Sequence, residues 1–163
     1  MKNHSVLVFV TLLSVSVTAQ QTRYYSDPSA TFREAKEYFQ KEQYSLAYPL
    51  FKDLQQTVRE TDKANTPITV QEIQYYTTVC ALKQLEGRAE EAAQEYIDLE
   101  KNTARVQMMY YHLGEFYFHK QQFDDAARQY EQTHIANLSN REIADMKFHQ
   151  GYSYFTLQRF SLA

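Results

Sequence analysis

From Pro28 onward, apolar and polar positions recur with the three-to-four-residue period of amphipathic helices. Tyr110, Leu113, Gly114 and Tyr117 lie on one helical face, and His112, Glu115 and His119 on another. A longer period lies over this short one. Four windows align without gaps: AKEYFQKEQYSLAYPLF from Ala35, CALKQLEGRAEEAAQEY from Cys80, GEFYFHKQQFDDAARQY from Gly114 and GYSYFTLQRFSLA from Gly151. Each opens on a small residue and carries alanine twelve positions later, at Ala47, Ala92, Ala126 and Ala163. Four positions beyond the alanine, the complete windows carry Phe51, Tyr96 and Tyr130. Tyr38, Tyr117 and Tyr154 share a further slot, as do Tyr44, Phe123 and Phe160.

A pair of antiparallel helices accounts for this pattern. Helices approach to an axis separation of about 8–10 Å where the facing side chains are small. The leading small residue and the alanine are therefore the expected crossing point. The aromatics one turn away fill the space between neighbouring pairs. Capping signals agree with the pairs. Asp27 precedes Pro28, and Thr69 with Glu72 and Ser139 with Glu142 form capping boxes. Pro49 falls inside the second helix of the first pair, where it is harmless if Ser45 is the cap. The polar stretch Thr57 to Thr66 is expected to be an exposed loop or an extra helical turn, and Asn137-Leu138-Ser139 a turn between pairs rather than a glycosylation acceptor.

On these residues the chain resembles the tetratricopeptide repeat family, whose units run about 34 residues. The alanines here are spaced by 45, 34 and 37 residues. The third window fits best; in the second, Lys83 and Ala89 stand where aromatics are expected. The resemblance implies an all-α fold, a right-handed superhelical solenoid of antiparallel helix pairs with about three and a half repeats. The units fall near 28–56, 69–101, 104–136 and 140–163, the last incomplete, so further repeats are expected beyond Ala163. More narrowly, the chain is similar to the long exported tetratricopeptide proteins of Gram-negative envelopes.

Composition changes this picture little. The 14 Tyr and 10 Phe against three Gly and three Pro favour long helices over strands and turns. A formal net charge of −3 supplies no long-range attraction to nucleic acid or an anionic membrane. The amino terminus reads as an address. Lys2 is followed by the mostly apolar run Ser5 to Val17, and Val17-Thr18-Ala19 places small residues before Gln20. The run is shorter than the roughly twenty apolar residues needed to span a bilayer. Residues 1–19 are thus expected to be a signal peptide, 20–27 a short extension and 28–163 the repeat domain, placed in the periplasm or at the outer membrane.

Tests for chemistry point away from an enzyme. His112, Glu115 and His119 share a face, but HExxH is absent, and His149 stands a helix spacing away from His112 in the same slot. Cys80, the single thiol, reads as a small buried hydrophobe. No phosphate loop, nucleophile elbow or paired-cysteine motif is present, and no cofactor is called for. The resemblance implies instead a concave groove, lined by first helices, that holds protein or peptide segments. Helical projection puts Met108, Tyr111, Glu115, Phe118 and His119 there, joined by Phe148, Tyr152 and Phe155. Phe118 and Phe155 are expected in the core, and Tyr111, Tyr152 and Glu115 on the groove. The Lys/Asn/Arg clamp by which some relatives hold a carboxylate terminus is absent. The function expected is that of an exported scaffold for protein–protein interaction, with a periplasmic input domain of a longer signalling protein as the alternative.

Export predicts a mature chain that begins at Gln20. Mass spectrometry of the exported protein should find that amino terminus, and a retained Met1 would refute it.

Overall fold

The computed structural model describes residues 27–60 and 69–163. The expected signal peptide, nearly all of the 20–27 extension and the 61–66 part of the polar stretch lie outside these residues. Within them the chain is all-α: α1 (Pro28–Gln40), α2 (Tyr44–Glu60), α3 (Val70–Lys83), α4 (Ala89–Leu99), α5 (Thr103–His119), α6 (Phe123–Gln132), a 3-10 turn (Ile135–Asn137) and α7 (Asn140–Thr156). Each helix packs on the next, and α5 also packs on α3 and on α7. No helix among the described residues is long and apolar enough to cross a membrane.

The helix starts follow from their caps. Asp27 accepts from the Ser29 amide at 3.0 Å with Pro28 in the first turn, and Thr69 accepts from the Glu72 amide at 3.1 Å. Ser139 and Glu142 close a reciprocal box ahead of α7. The start of α2 differs from expectation. The Gln43 carbonyl, not Ser45, receives its first amides, from Leu46 and Ala47. Pro49 is therefore well inside the helix and leaves the Ser45 carbonyl without its helical donor. Both residues are exposed, so water can serve that carbonyl.

One turn recurs at the end of the first helix of every pair. Glu42, Leu85, Gln121 and Gln158 adopt left-handed φ of 57°, 55°, 60° and 58°. The amide of the following residue then reaches back five positions: Gln43 to Tyr38, Glu86 to Ala81, Gln122 to Tyr117 and Arg159 to Tyr154, at 2.8–3.0 Å. This is the Schellman closure, which caps otherwise orphaned helix carbonyls. A non-glycine residue in this region costs about 1 kcal/mol or more, and the closure offsets it.

That turn corrects the register of the second window. The left-handed residue falls seven positions after Ala35, Gly114 and Gly151, but five after Cys80. Thr78, not Cys80, thus occupies the slot of Gly114. Two extra residues, Gly87 and Arg88, separate the turn from α4. Cys80 is still fully buried, and burial pushes its thiol up to about 12, the state of an inert core residue.

The long-period aromatics form the core. Phe51, Tyr96 and Tyr130 are all fully buried, as are Ala47 and Ala126; in the second unit Ala93 is buried and the expected Ala92 is only half-buried. Four of the buried tyrosines, Tyr96, Tyr117, Tyr130 and Tyr154, donate their hydroxyls to glutamates. Tyr117 of α5 donates to Glu90 of α4 at 2.8 Å, and Tyr154 of α7 donates to Glu131 of α6 at 2.6 Å. The shared Tyr117/Tyr154 slot thus has a repeated role: it ties a first helix to the second helix before it.

One close approach involves Gly114. A Cβ there would lie 2.6 Å from Tyr130 Cε1 and 2.7 Å from Cδ1. The ring of Tyr130, one turn beyond Ala126, therefore rests directly on the α5 backbone. At the equivalent Gly151 of α7, no described atom lies within 4 Å of such a Cβ. Gly114→Ala should destabilise the fold by about 1–3 kcal/mol through overpacking. Gly151→Ala should stabilise it by up to about 1 kcal/mol through helix propensity. Urea unfolding of the two variants checks this; equal shifts of the same sign would mean the Tyr130 contact is not formed.

Candidate functional site

The six residues expected on the groove separate into two groups, because α5 and α7 have different neighbours. On α5, Tyr111 is 4% exposed and Glu115 is 6% exposed. Neither lies on an open face, contrary to the sequence-based expectation. Lys83 Nζ sits 5.8 Å from the centre of the Tyr111 ring. Burial, and then the charge of Glu115, raise the Tyr111 hydroxyl well above its usual range. Met108 is half-buried against the main core cluster. On the surface are His119, Phe148 and Tyr152, the last two 67% and 47% exposed. Phe155, expected in the core, is 63% exposed. Phe118 is half-buried and packs on the core.

Glu115 is covered because α6 and α7 converge on it. Its carboxylate accepts from Tyr130 Oη at 2.5 Å and from His149 Nδ1 at 2.8 Å. The His149 ring in turn stacks on Phe118 with centroids 3.9 Å apart and planes 19° apart. Tyr152 meets the edges of Phe118 and Phe123 at 5.8 and 5.6 Å. Burial first, and then the Glu115 charge, hold the Tyr130 hydroxyl protonated far above its usual range. A buried carboxylate needs such donors, since an unpaired buried charge is strongly unfavourable. His149 and Tyr130 therefore make the α5–α6–α7 junction possible.

His112, which the sequence pattern put on one face with Glu115 and His119, is also buried. Its Nε2 lies 3.3 Å from Tyr75 Oη, and its Nδ1 has no partner. Burial, with the positive charge of Lys83 beyond it, lowers the ring to about 3. His112 and His119 thus face different surroundings and share no ligand. Among the described residues no group of three His, Cys, Asp or Glu is placed to hold a metal ion.

Comparison with protein-family models, curated proteins and solved structures finds no match. The residues themselves must carry any functional reading.

Outward from the Glu115 junction, Phe148, Tyr152 and Phe155 form an aromatic stripe along the outer face of α7. Phe148 and Tyr152 have centroids 6.4 Å apart, and Phe160 meets Phe155 at 5.6 Å. Single exposed hydrophobics are ordinary on a protein surface; here three rings spaced by four and three residues share one helix face. Helical projection put Phe148, Tyr152 and Phe155 on this face, but Phe155 was expected in the core, because the helical period does not say which face has a neighbour.

The buried imidazole has a consequence in acid. The folded ring titrates near 3, below its unfolded value of about 6.5. The unfolded chain therefore binds the proton first, and the contribution is intact above about pH 6.5 and lost as pH falls toward 3. The slope is at most about 1.4 kcal/mol per pH unit for this one group. Thermal melts between pH 7 and 4 should show a fall that flattens in His112→Phe. An identical acid slope in that variant would show that His112 is not responsible.

Proposed function

We propose that the chain is an exported tetratricopeptide-type scaffold that binds protein segments through the aromatic face of its first helices. The repeated left-handed turn, the repeated tyrosine–glutamate ties and the succession of α3 on α5 and α5 on α7 support an array of like units. The composition of residues 1–19 supports export. In this reading the array is a right-handed solenoid, and its binding wall is the outer face of α7.

One observation carries the binding role. Phe148, Tyr152 and Phe155 stand 37 positions after Tyr111, Glu115 and Phe118, in the same slots of the next unit. The earlier three are buried or half-buried, and α7 packs on two of them through His149. The later three are largely exposed. A face built on slots that elsewhere receive a helix, and furnished with three rings, suits a helical or extended protein segment. Aromatic anchors of this kind supply much of the binding energy at protein interfaces.

A photo-crosslinking residue placed at Tyr152 should give protein adducts in the native host, while one at the exposed Gln132 of α6 should not. Adding Phe148→Ser should abolish the adducts. It should also shift stability by no more than about 0.5 kcal/mol, since the ring is already in water. Adducts equal at both positions, or undiminished by Phe148→Ser, would place the binding surface elsewhere.

A further inference from the structure

On the side of the array formed by second helices, α2 and α4 flank α3 and leave an open cleft of about 560 Å³. Its floor is Thr77, Thr78 and Ala81 of α3, with Ala89 and Ala92 at the base of the α4 wall. The cleft occurs where the second unit departs from the other two complete ones. Ala89 stands in the slot that holds Tyr44 and Phe123, so a ring is missing. The extra residues Gly87 and Arg88 lengthen the turn into α4, and both line the cleft. Its size falls in the range of about 300–1,000 Å³ typical of ligand sites.

The walls differ in charge. On α4, Glu91 and Glu95 lie one turn apart on the same side, with Glu86 at the end of the cleft; on α2, Lys52 lies over the Tyr48 ring at 5.3 Å. Gln55 and Gln74 add a carboxamide each from α2 and α3. Among the described residues none of Gln55, Gln74, Arg88, Glu91 or Glu95 makes a side-chain hydrogen bond or ion pair. The amides have the donors and acceptors to bond a peptide backbone, and the paired carboxylates suit an ammonium or guanidinium group. The small floor residues give an extended chain access to these groups.

We infer that this cleft binds an extended segment of a partner protein that inserts a lysine or arginine side chain against Glu91 and Glu95. The site is separate from the α7 face, so either can fail without the other.

The test uses the isotope-labelled chain and two acetylated, amidated tetrapeptides, Ala-Lys-Ala-Ala and Ala-Glu-Ala-Ala, at millimolar concentration. The basic peptide should shift the amide resonances of Thr77, Thr78, Ala81 and Ala92, and the acidic peptide should not. Ala92→Phe, which plugs the cleft, and Glu91→Gln with Glu95→Gln, which keeps its shape, should each abolish the shifts. The second variant keeps the outcome readable if the first fails to fold. Absent shifts, equal shifts with both peptides, or shifts that survive the glutamine variant would overturn the assignment.

Discussion

The ring of Tyr130 lies on the backbone of Gly114 with no space for a methyl group between them, and the carboxyl-terminal half of the molecule depends on that contact. It sets how closely α5 and α6 approach. It also carries the Tyr130 hydroxyl to Glu115, and so takes that carboxylate out of water. Once buried, the carboxylate needs a second donor, and His149 on α7 supplies it. The position of α7 thus follows from a glycine on α5. At the equivalent slots the first unit has Ala35 and Phe51, an apolar pair with no hydroxyl to place, and the second has Thr78 and Tyr96, whose hydroxyl turns to Glu100 at the end of its own helix. Only the third complete unit uses this slot to bind a third helix.

The same helix buries two ionisable side chains and treats them in opposite ways. Glu115 is given two donors. His112, three positions earlier, has one weak partner and an unbonded nitrogen, and is kept neutral instead. A buried charge must be paired, whereas an imidazole avoids that requirement by giving up its proton. This explains how α5 can be buried on every side from Tyr111 to Tyr117 while carrying both residues.

Much of the fold was legible in the sequence. The caps at Asp27, Thr69 and Ser139, the paired helices and the buried slots of Phe51, Tyr96 and Tyr130 could be read because each rests on local geometry or on a repeated period. Three features could not be read. The insertion of Gly87 and Arg88 was hidden because Cys80, like Thr78, is small enough to satisfy the slot in a gapless alignment. The burial of Tyr111, Glu115 and His112 was hidden because helical projection assumes one wet face, and a helix covered by α3, α6 and α7 has none. Phe155 was misplaced for the converse reason: its equivalent, Phe118, is covered by a ring on α7, and residue type does not reveal whether such a ring is present.

In a quasi-periodic fold, most positions are fixed by the need to match the next unit, so departures from the pattern are where a chain is free to specialise. Here the departures fall on two different sides. On α7 the slots are kept and enriched in rings that are exposed among the described residues. At α4 the reverse holds: the cover is in place, but a ring is replaced by Ala89 and the turn is lengthened, which leaves a narrow cleft edged by charge. The first departure adds exposed apolar area and the second removes buried volume. The two surfaces therefore differ in kind, one apolar and exposed to solvent, the other recessed and charged. Both leave the Gly114–Tyr130 contact intact: the cleft lies away from it, and Tyr152 of the α7 stripe meets α5 and α6 only at Phe118 and Phe123.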